Sequence, residues 1–507
     1  MARDALAGSS GRGALAGMLE ATADRWPERT ALVWQGERVP WARLLGAVRR
    51  RAAELAELCV EPSRAVGLLL GNGPDFVVEL FAIAARGAVA VPLNPGLHAD
   101  EVEACLRGGD LAAIVAAPDA AAVARQVADR WPARVAVQAV AAGRHLGLAA
   151  DPGARAAGVA ADADVLWGFS SGSTGAPKRI VRRQSHLAAE ADNFTATVGL
   201  GVDDVILGAV PFFHAHGLGN CVLAAVRVGA ALVVEPAFEP RAALATLERE
   251  RVTVLPGVPF LFRMLAEASA GRRFDAASLR LCFSAGAALP AEIFESFTER
   301  LGSPLRQLYG CSEAGSVTIN LDPDAAGTAG SVGRPVRHVQ VSVLDEDDRP
   351  CPPGTEGEIE IASPALGRSG AEAPEERAAF RNGRFLTGDL GRLDADGRLE
   401  ITGRKKLYIS TAASKVDPVD VERCIAGHPE VAEVVVVGVR SRGGDEIVKA
   451  VIVPRSPRAP ASEDWLRREV VSRCRERLAD FKVPRQIEFR DEIPRSPLGK
   501  VLRKYLV

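Results

Sequence analysis

Residues 170–178 read Ser170-Ser171-Gly172-Ser173-Thr174-Gly175-Ala176-Pro177-Lys178, directly after the apolar run Val165-Leu166-Trp167. Four hydroxyls, two glycines and one lysine share these nine positions. Glycines let backbone N–H groups approach phosphate oxygens, hydroxyls add donors, and the ammonium supplies a point charge. A flexible Ser/Gly surface loop is the plain rival to that reading. A Walker-type loop fails on spacing. Counting from Gly172, its second glycine falls on Pro177, and its Ser/Thr position is Arg179. The stretch is a phosphate loop of another kind.

Outward from it, apolar strands alternate with helical patterns. Met18 to Trp26 and Trp41 to Leu58 carry apolar residues at helical spacing, and Ala65 to Leu70 and Ala88 to Leu93 are short apolar runs bounded by Gly, Asn or Pro. The alternation continues through Val205 to Val210, Ala231 to Val234, Val252 to Pro256 and Leu279 to Ser284. Buried strands between helices predict an α/β architecture with helix-covered sheets. From about 330 the texture changes to short strands: Val339 to Leu344, Gly357 to Ile361, Phe385 to Leu390 and Arg398 to Thr402. They are separated by turns such as Pro353-Gly354 and Asp396-Gly397, which predicts a β-rich subdomain. Residues 363–379 read as an exposed loop. A small α+β unit follows. It has a helix from Pro418 to Ala426 capped by Asp417, strands at Val434 to Val437 and Val448 to Val453, a helix from Trp465 to Leu478, and a last strand from Gln486 to Phe489. Two domains are expected, 1–403 and 404–507, joined by a hinge.

The 507 residues are 48% apolar and 25% charged, with a formal net charge of −2. That balance is globular, and it lacks the basic excess of a nucleic-acid or membrane-surface protein. The arginines at 3 and 12 are followed by no continuous apolar core, and the apolar stretch from Phe76 to Leu93 is broken by Glu79 and Arg86. Eight cysteines are scattered without paired spacing, so neither a disulfide framework nor a zinc site is expected, and the cytoplasm is the expected compartment. Lysine is scarce: eight in all, none before Lys178. A slim ammonium enters a reaction centre where a broad guanidinium cannot, so each lysine gains interest.

Further motifs follow in order: Pro211-Phe212-Phe213-His214-Ala215-His216-Gly217, Phe283-Ser284-Ala285-Gly286-Ala287-Ala288, and Gln307-Leu308-Tyr309-Gly310-Cys311-Ser312-Glu313. Then come Thr387-Gly388-Asp389, Gly403-Arg404-Lys405-Lys406, and Pro494-Arg495-Ser496-Pro497-Leu498-Gly499-Lys500. Singly, each has a dull explanation as a turn or a solvated charge. In this order, and with Gly87-Ala88-Val89-Ala90-Val91-Pro92-Leu93-Asn94-Pro95 near the start, they resemble the adenylate-forming superfamily. That superfamily comprises acyl- and aryl-CoA ligases, stand-alone adenylation domains and luciferases.

The resemblance implies ATP-dependent activation of a carboxylic acid to an acyl-adenylate, with ATP and Mg2+ required and CoA as the acceptor. Residue by residue, Ser170, Ser171, Gly172, Ser173, Thr174 and Lys178 resemble the family loop on the β- and γ-phosphates. Gly286, Ala287 and Ala288 with Tyr309 resemble the adenine slot, and Gln307 would lie beside the base. Glu313 matches the magnesium ligand, since a hard cation on phosphate oxygens wants a carboxylate. Ser312 keeps the hydroxyl for the α-phosphate, Asp389 and Arg404 resemble the ribose pair, and Lys406 falls at the hinge. Lys500 matches the lysine that brings carboxylate and α-phosphate together, and His214 the gate beside the acyl pocket. His216 extends a His-Ala-His-Gly-Leu string also found in some short-chain and dicarboxylate-activating ligases, where a structural role is the alternative. Around the acyl pocket fall Asn220, Pro256 to Phe260, Ser284 and Cys311 to Ala314.

Three departures stand out. Arg179 replaces a usual glycine, Gln184 a frequent histidine, and Ala413 the commonest glycine of the loop that lines the pantetheine tunnel. An alanine there adds a methyl group and restricts φ, which bears on thioester formation and not on adenylation. The alternative acceptor is therefore a carrier-protein thiol, or an amine or hydroxyl. An amino-acid-activating domain would place an aspartate near His214, and none lies between Pro211 and Cys221.

Overall fold

The computed structural model describes residues 15–147, 158–170, 178–271, 274–370, 377–405, 409–411, 414–416, 418–440, 446–456, 460–478, 480–496 and 501–507. Two large sheets carry the first part of the chain. One has seven strands in the order Arg368–Ser369, Lys178–Arg183, Asp164–Ser170, Val89–Pro92, Ala65–Leu69, Leu111–Ala116, Ala136–Ala139. Its central strands are parallel and buried along their whole length, as continuous apolar runs should be when helices cover both faces. The other sheet has nine strands, with Leu305–Cys311, Leu281–Ser284, Val254–Gly257, Val205–Gly208 and Ala231–Val234 as its parallel centre.

The helices follow from their patterning. Trp41–Glu57 buries Trp41, Leu44, Leu45, Val48 and Leu55 on one face. Pro74–Ala85 starts with proline at its first turn and is buried at every position, the mark of a helix with protein on all sides. It sits within one continuous core that draws on both sheets, with the Phe76 and Phe212 rings 5.9 Å apart. Just before it, the Asn72 side chain donates to the carbonyls of Gly208 and Val210 and accepts from Phe212 N–H, which ties one sheet to the other.

The β-rich region is a five-stranded antiparallel sheet built from Gln340–Leu344, Gly357–Ala362, Arg384–Leu393, Phe380–Arg381 and Leu399–Arg404. The expected turns at Gly354 and Gly397 have φ of +82° and +75°. The segment expected to be an exposed loop is partly otherwise. Ala365 is fully buried, and Arg368–Ser369 pairs with Lys178–Arg183 as an edge strand. Gly367 and Gly370 mark close backbone approach to Arg182 and Arg179.

The last part has its own core, centred on Val421, Ile425, Val436, Ala450, Ile452, Leu466 and Val470. The strands Val431–Arg440, Glu446–Pro454 and Gln486–Phe489 pack with the helices Pro418–Ala426 and Pro460–Arg477. The expected cap, Asp417, lies outside the described residues. Among the described residues no helix is long and apolar enough to cross a membrane.

Candidate functional site: a nucleotide cleft and an adjoining acyl side

Ligands of parallel sheets collect beyond the carboxyl ends of the strands. Here Gly257, Ser284 and Gln307 stand side by side in register near the ends of three such strands. Beyond them the chain turns through Gly286 at φ +82°, and Gly286, Ala287 and Ala288 are exposed. Space is open at Gly286, where an added Cβ would meet only Val258 at 3.9 Å, so the left-handed φ is what calls for glycine. Gln307, expected beside the base, donates through its amide nitrogen to the carbonyls of Ala329 and Ser331.

Tyr309 extends from the neighbouring strand, and its hydroxyl donates to Asp389 Oδ2 at 2.6 Å. Arg404 Nε donates to the other carboxylate oxygen. The pairing of Arg384–Leu393 with Leu399–Arg404 sets Asp389 opposite Arg404 and brings the two charges together. Asp389 is 5% exposed, and its N–H is held by Thr387 Oγ1 at 3.0 Å. Burial, then the Asp389 charge, raises the Tyr309 phenol well above its usual range, so it remains a protonated donor. Burial pulls the Arg404 guanidinium down, but the charge and hydrogen bond of Asp389 outweigh it and raise it overall.

The hairpin of Leu305–Cys311 with Gly315–Ile319 carries Ser312 and Glu313 on its turn. The Glu313 carbonyl accepts from Gly367 N–H at 2.8 Å. Burial raises the Glu313 carboxyl, while Arg404 and Arg182 act to lower it. Among the described residues no cluster of three or more His, Cys, Asp or Glu could hold a metal alone. A single carboxylate suits a hard ion whose other ligands are phosphate oxygens and water.

The strands on either side of the candidate phosphate loop, Asp164–Ser170 and Lys178–Arg183, pair antiparallel. Ser170 and Lys178 are cross-strand partners, and residues 171–177, including Ser171, Gly172, Ser173 and Thr174, lie outside the described residues. Arg179 is a finding of its own. Its guanidinium lies 4.1 Å from the Trp167 ring centroid and donates to the carbonyls of Cys105 and Arg107 at the end of helix Ala99–Leu106.

His214, His216 and Asn220, expected around the acyl pocket, reach Gly257 through His216. His214 packs against Phe213 with ring centroids 4.7 Å apart. His216 is engaged at both nitrogens, Nε2 with the Gly257 carbonyl at 3.0 Å and Nδ1 with the Asn220 amide at 2.9 Å. Asn220 Oδ1 accepts from Ser316 Oγ at 2.8 Å, and Phe283 meets the His216 ring edge-on. Burial lowers the imidazole to about 4, so it is neutral at pH 7. The Ser284 hydroxyl, 2% exposed, has no protein partner.

Lys406, Lys500, Ala412 and Ala413 lie outside the described residues. On either side of residues 497–500, Arg495 bridges to Val501, and Leu502 N–H donates to the Pro494 carbonyl at 2.8 Å. Burial, then the nearby Arg263 charge from helix Pro259–Ala268, lowers Arg495. Before Lys406, Lys405 pairs with Glu358 at 2.7 Å.

Two residues of this region escape a reading of the chain. Arg182 and Glu190 form an ion pair at 2.8 Å with side chains 2% and 4% exposed. Charged residues in a strand–helix junction normally read as solvated, and no local pattern marks these as buried. Gln184 is also structural: it accepts from Ala16 N–H and donates to the Ala84 carbonyl.

Residues 19–369 match the AMP-binding enzyme family, and residues 420–500 match the AMP-binding enzyme C-terminal domain. The chain is similar to a feruloyl-CoA synthase of an Amycolatopsis species, at 32% identity over 94% of this chain and 95% of that protein. It is similar to an indoleacetate–CoA ligase of Aromatoleum aromaticum at 31% identity, covering 94% of each. Among solved structures, a benzoate CoA ligase from Burkholderia xenovorans superposes with a TM-score of 0.83 at 26% identity, over 97% of this chain and 99% of that one.

Proposed function

The chain belongs to the AMP-binding enzyme family, and from that premise we propose roles for the residues gathered in the cleft. The reaction is ATP-dependent activation of a carboxylic acid followed by transfer of the acyl group to CoA. A carboxylate oxygen attacks the α-phosphorus of ATP, the bond to the bridging oxygen breaks, and pyrophosphate leaves. The thiol of CoA then displaces AMP from the acyl carbon, losing its proton. Both reactants of the first step are anions, so positioning and charge stabilisation are the tasks the protein performs.

The carrying observation is the convergence of Tyr309 and Arg404 on the Asp389 carboxylate, next to the turn bearing Ser312 and Glu313. In this reading Tyr309 with Gly286, Ala287 and Ala288 holds adenine, and Asp389 with Arg404 takes the ribose hydroxyls. Ser312 donates to the α-phosphate. Ser170 to Thr174 and Lys178 hold the distal phosphates, and Lys500 bridges the carboxylate and α-phosphate. Glu313 would hold magnesium, which when bound supplies positive charge to the departing pyrophosphate. Residues 1–403 and 404–507 are the proposed domains, with Lys406 at the hinge, and the cytoplasm is the proposed compartment.

A neutral His216, satisfied at both nitrogens, offers no counter-charge to a second carboxylate. Together with the rings of Phe213, His214 and Phe283, it supports a monocarboxylic acid with an uncharged tail as substrate. Pyrophosphate release across a panel of aryl, aliphatic and dicarboxylic acids, with and without CoA, tests both steps. Acid-dependent release that accelerates with CoA supports the reading. Turnover that needs an added amine or alcohol, and ignores CoA, would overturn the assigned acceptor.

A further inference from the structure

The turn that carries Ser312 and Glu313 rests on the buried Arg182–Glu190 ion pair. Arg182 comes from the strand Lys178–Arg183 and Glu190 from the helix Gln184–Val198 that follows it. Arg182 Nη2 donates to Glu190 Oε2 at 2.8 Å, and Arg182 Nη1 to the Ser312 carbonyl at 3.2 Å. Gly315 closes the turn at φ +71°, and a Cβ there would lie 2.2 Å from the Glu190 carboxyl carbon. On its other side the carboxylate meets Gly219, where a Cβ would lie 2.0 Å from Oε1. Asn220, next to Gly219, bonds His216 and Ser316. Gly367, whose N–H holds the Glu313 carbonyl, lies against the Arg182 chain, where a Cβ would come within 2.7 Å of Cδ.

A pair of buried charges is a poor way to gain stability, because desolvation offsets most of the attraction and apolar residues of similar volume serve as well. Its value here is directional. The guanidinium fork reaches the carbonyl of Ser312 and the carboxylate of Glu190 at once, and the glycines let the turn and the Gly219 backbone close on that carboxylate. Arg182 also lends positive charge to the Glu313 carboxyl.

We propose that Arg182 and Glu190 are positioning residues that set the height of the Ser312–Glu313 turn against the reacting α-phosphate. The inference rests on the roles proposed above for Ser312 and Glu313. Its effect falls on the transition state and on the metal-dependent part of nucleotide binding. The adenine slot and the Asp389–Arg404 pair, which bind ATP in the ground state, stand apart from it.

Glu190→Gln keeps the shape and removes the charge. It should lower kcat for pyrophosphate release about 10- to 100-fold while KM for ATP moves less than about threefold. By calorimetry, ATP should bind without magnesium as to the parent, and the affinity gained on adding magnesium should shrink by about two- to threefold, within the same limit as KM. A purely structural pair would lower the melting temperature and leave both the kcat–KM split and the magnesium increment intact, which overturns the proposal. Arg182→Lys keeps the charge but loses the fork, and should show the same split where Glu190→Gln does not fold. If neither variant folds, the pair is structural and the proposal is wrong. Ser312→Ala and Glu313→Gln run alongside: if these two keep parental kcat, the assignment of the turn itself fails, whatever the pair does.

Discussion

The Tyr309 hydroxyl donates to Asp389 across 2.6 Å, joining the nine-stranded sheet to the β-rich sheet. Asp389 meets Arg404 on its other oxygen, so its orientation is set from two sides before any ligand is bound. Tyr309→Phe keeps the ring for adenine and removes one of those holds. Hydrogen bonds to charged groups contribute about 1.5–3 kcal/mol, so ATP affinity should fall roughly tenfold with the fold retained. Unchanged affinity by calorimetry would show that Arg404 alone orients the carboxylate.

Asp389→Ala tests the ribose assignment by discrimination. The parent should prefer ATP to 2′-deoxy-ATP, because a buried carboxylate shaped for two hydroxyls is left unpaired by one. In the variant kcat/KM for ATP should fall on the order of 10²-fold, and the preference should vanish. A preference that survives the substitution places the ribose elsewhere.

Lys500→Ala separates the half-reactions. Adenylate formation, followed as pyrophosphate release, should drop by several orders of magnitude on removal of the cation proposed to act at the α-phosphate. Thioester formation from a synthetic acyl-adenylate should change far less. A parental rate of adenylation would remove Lys500 from the chemistry.

Arg179 predicts a mechanical effect on the phosphate loop. Its stack on Trp167 and its bonds to the carbonyls of Cys105 and Arg107 anchor the strand that begins at Lys178. Arg179→Gly should raise KM for ATP several-fold and expose the loop to proteolysis, with kcat little changed. Identical proteolysis rates in parent and variant would count against the anchor.

Acid should weaken the fold through two histidines. His216 is lowered to about 4 by burial, and His186 to about 4 by burial and then the charges of Arg182, Arg183 and Arg368. Unfolded imidazoles titrate near 6.5, so below that pH the unfolded chain binds protons that the folded chain refuses. Stability is full above about 6.5 and declines as pH falls toward 4, by on the order of 2 kcal/mol per histidine. Denaturant midpoints between pH 7.5 and 5 measure it. His186→Asn, which keeps an acceptor for Arg183 N–H, should flatten the slope, and an unaltered slope contradicts the assignment.

Much of the site was legible because its parts are local. Gly286 and the Pro353-Gly354 and Asp396-Gly397 turns announce themselves by the one residue that tolerates positive φ. Strands such as Ala231–Val234 and Gln486–Phe489 were readable to the residue, as short apolar runs between turn formers. Within the segment 363–379, residues 365–369 depart from the expected exposed loop because glycine marks a tight fit against a neighbouring strand as well as a turn.

By itself the amino-acid sequence determined the α/β class, the order of motifs along the chain, and the candidate phosphate loop with its two outlying lysines. Periodicity, turn chemistry and residue type are properties of neighbours in the chain, and they survive without coordinates. Only the tertiary structure decided that Gln307 serves a backbone loop, that His216 is a satisfied neutral ring, and that Arg182 and Glu190 lie buried beneath Ser312. Burial and hydrogen-bond partners belong to groups that meet across long stretches of chain, and the free energy of a charged or polar side chain depends on which groups those are.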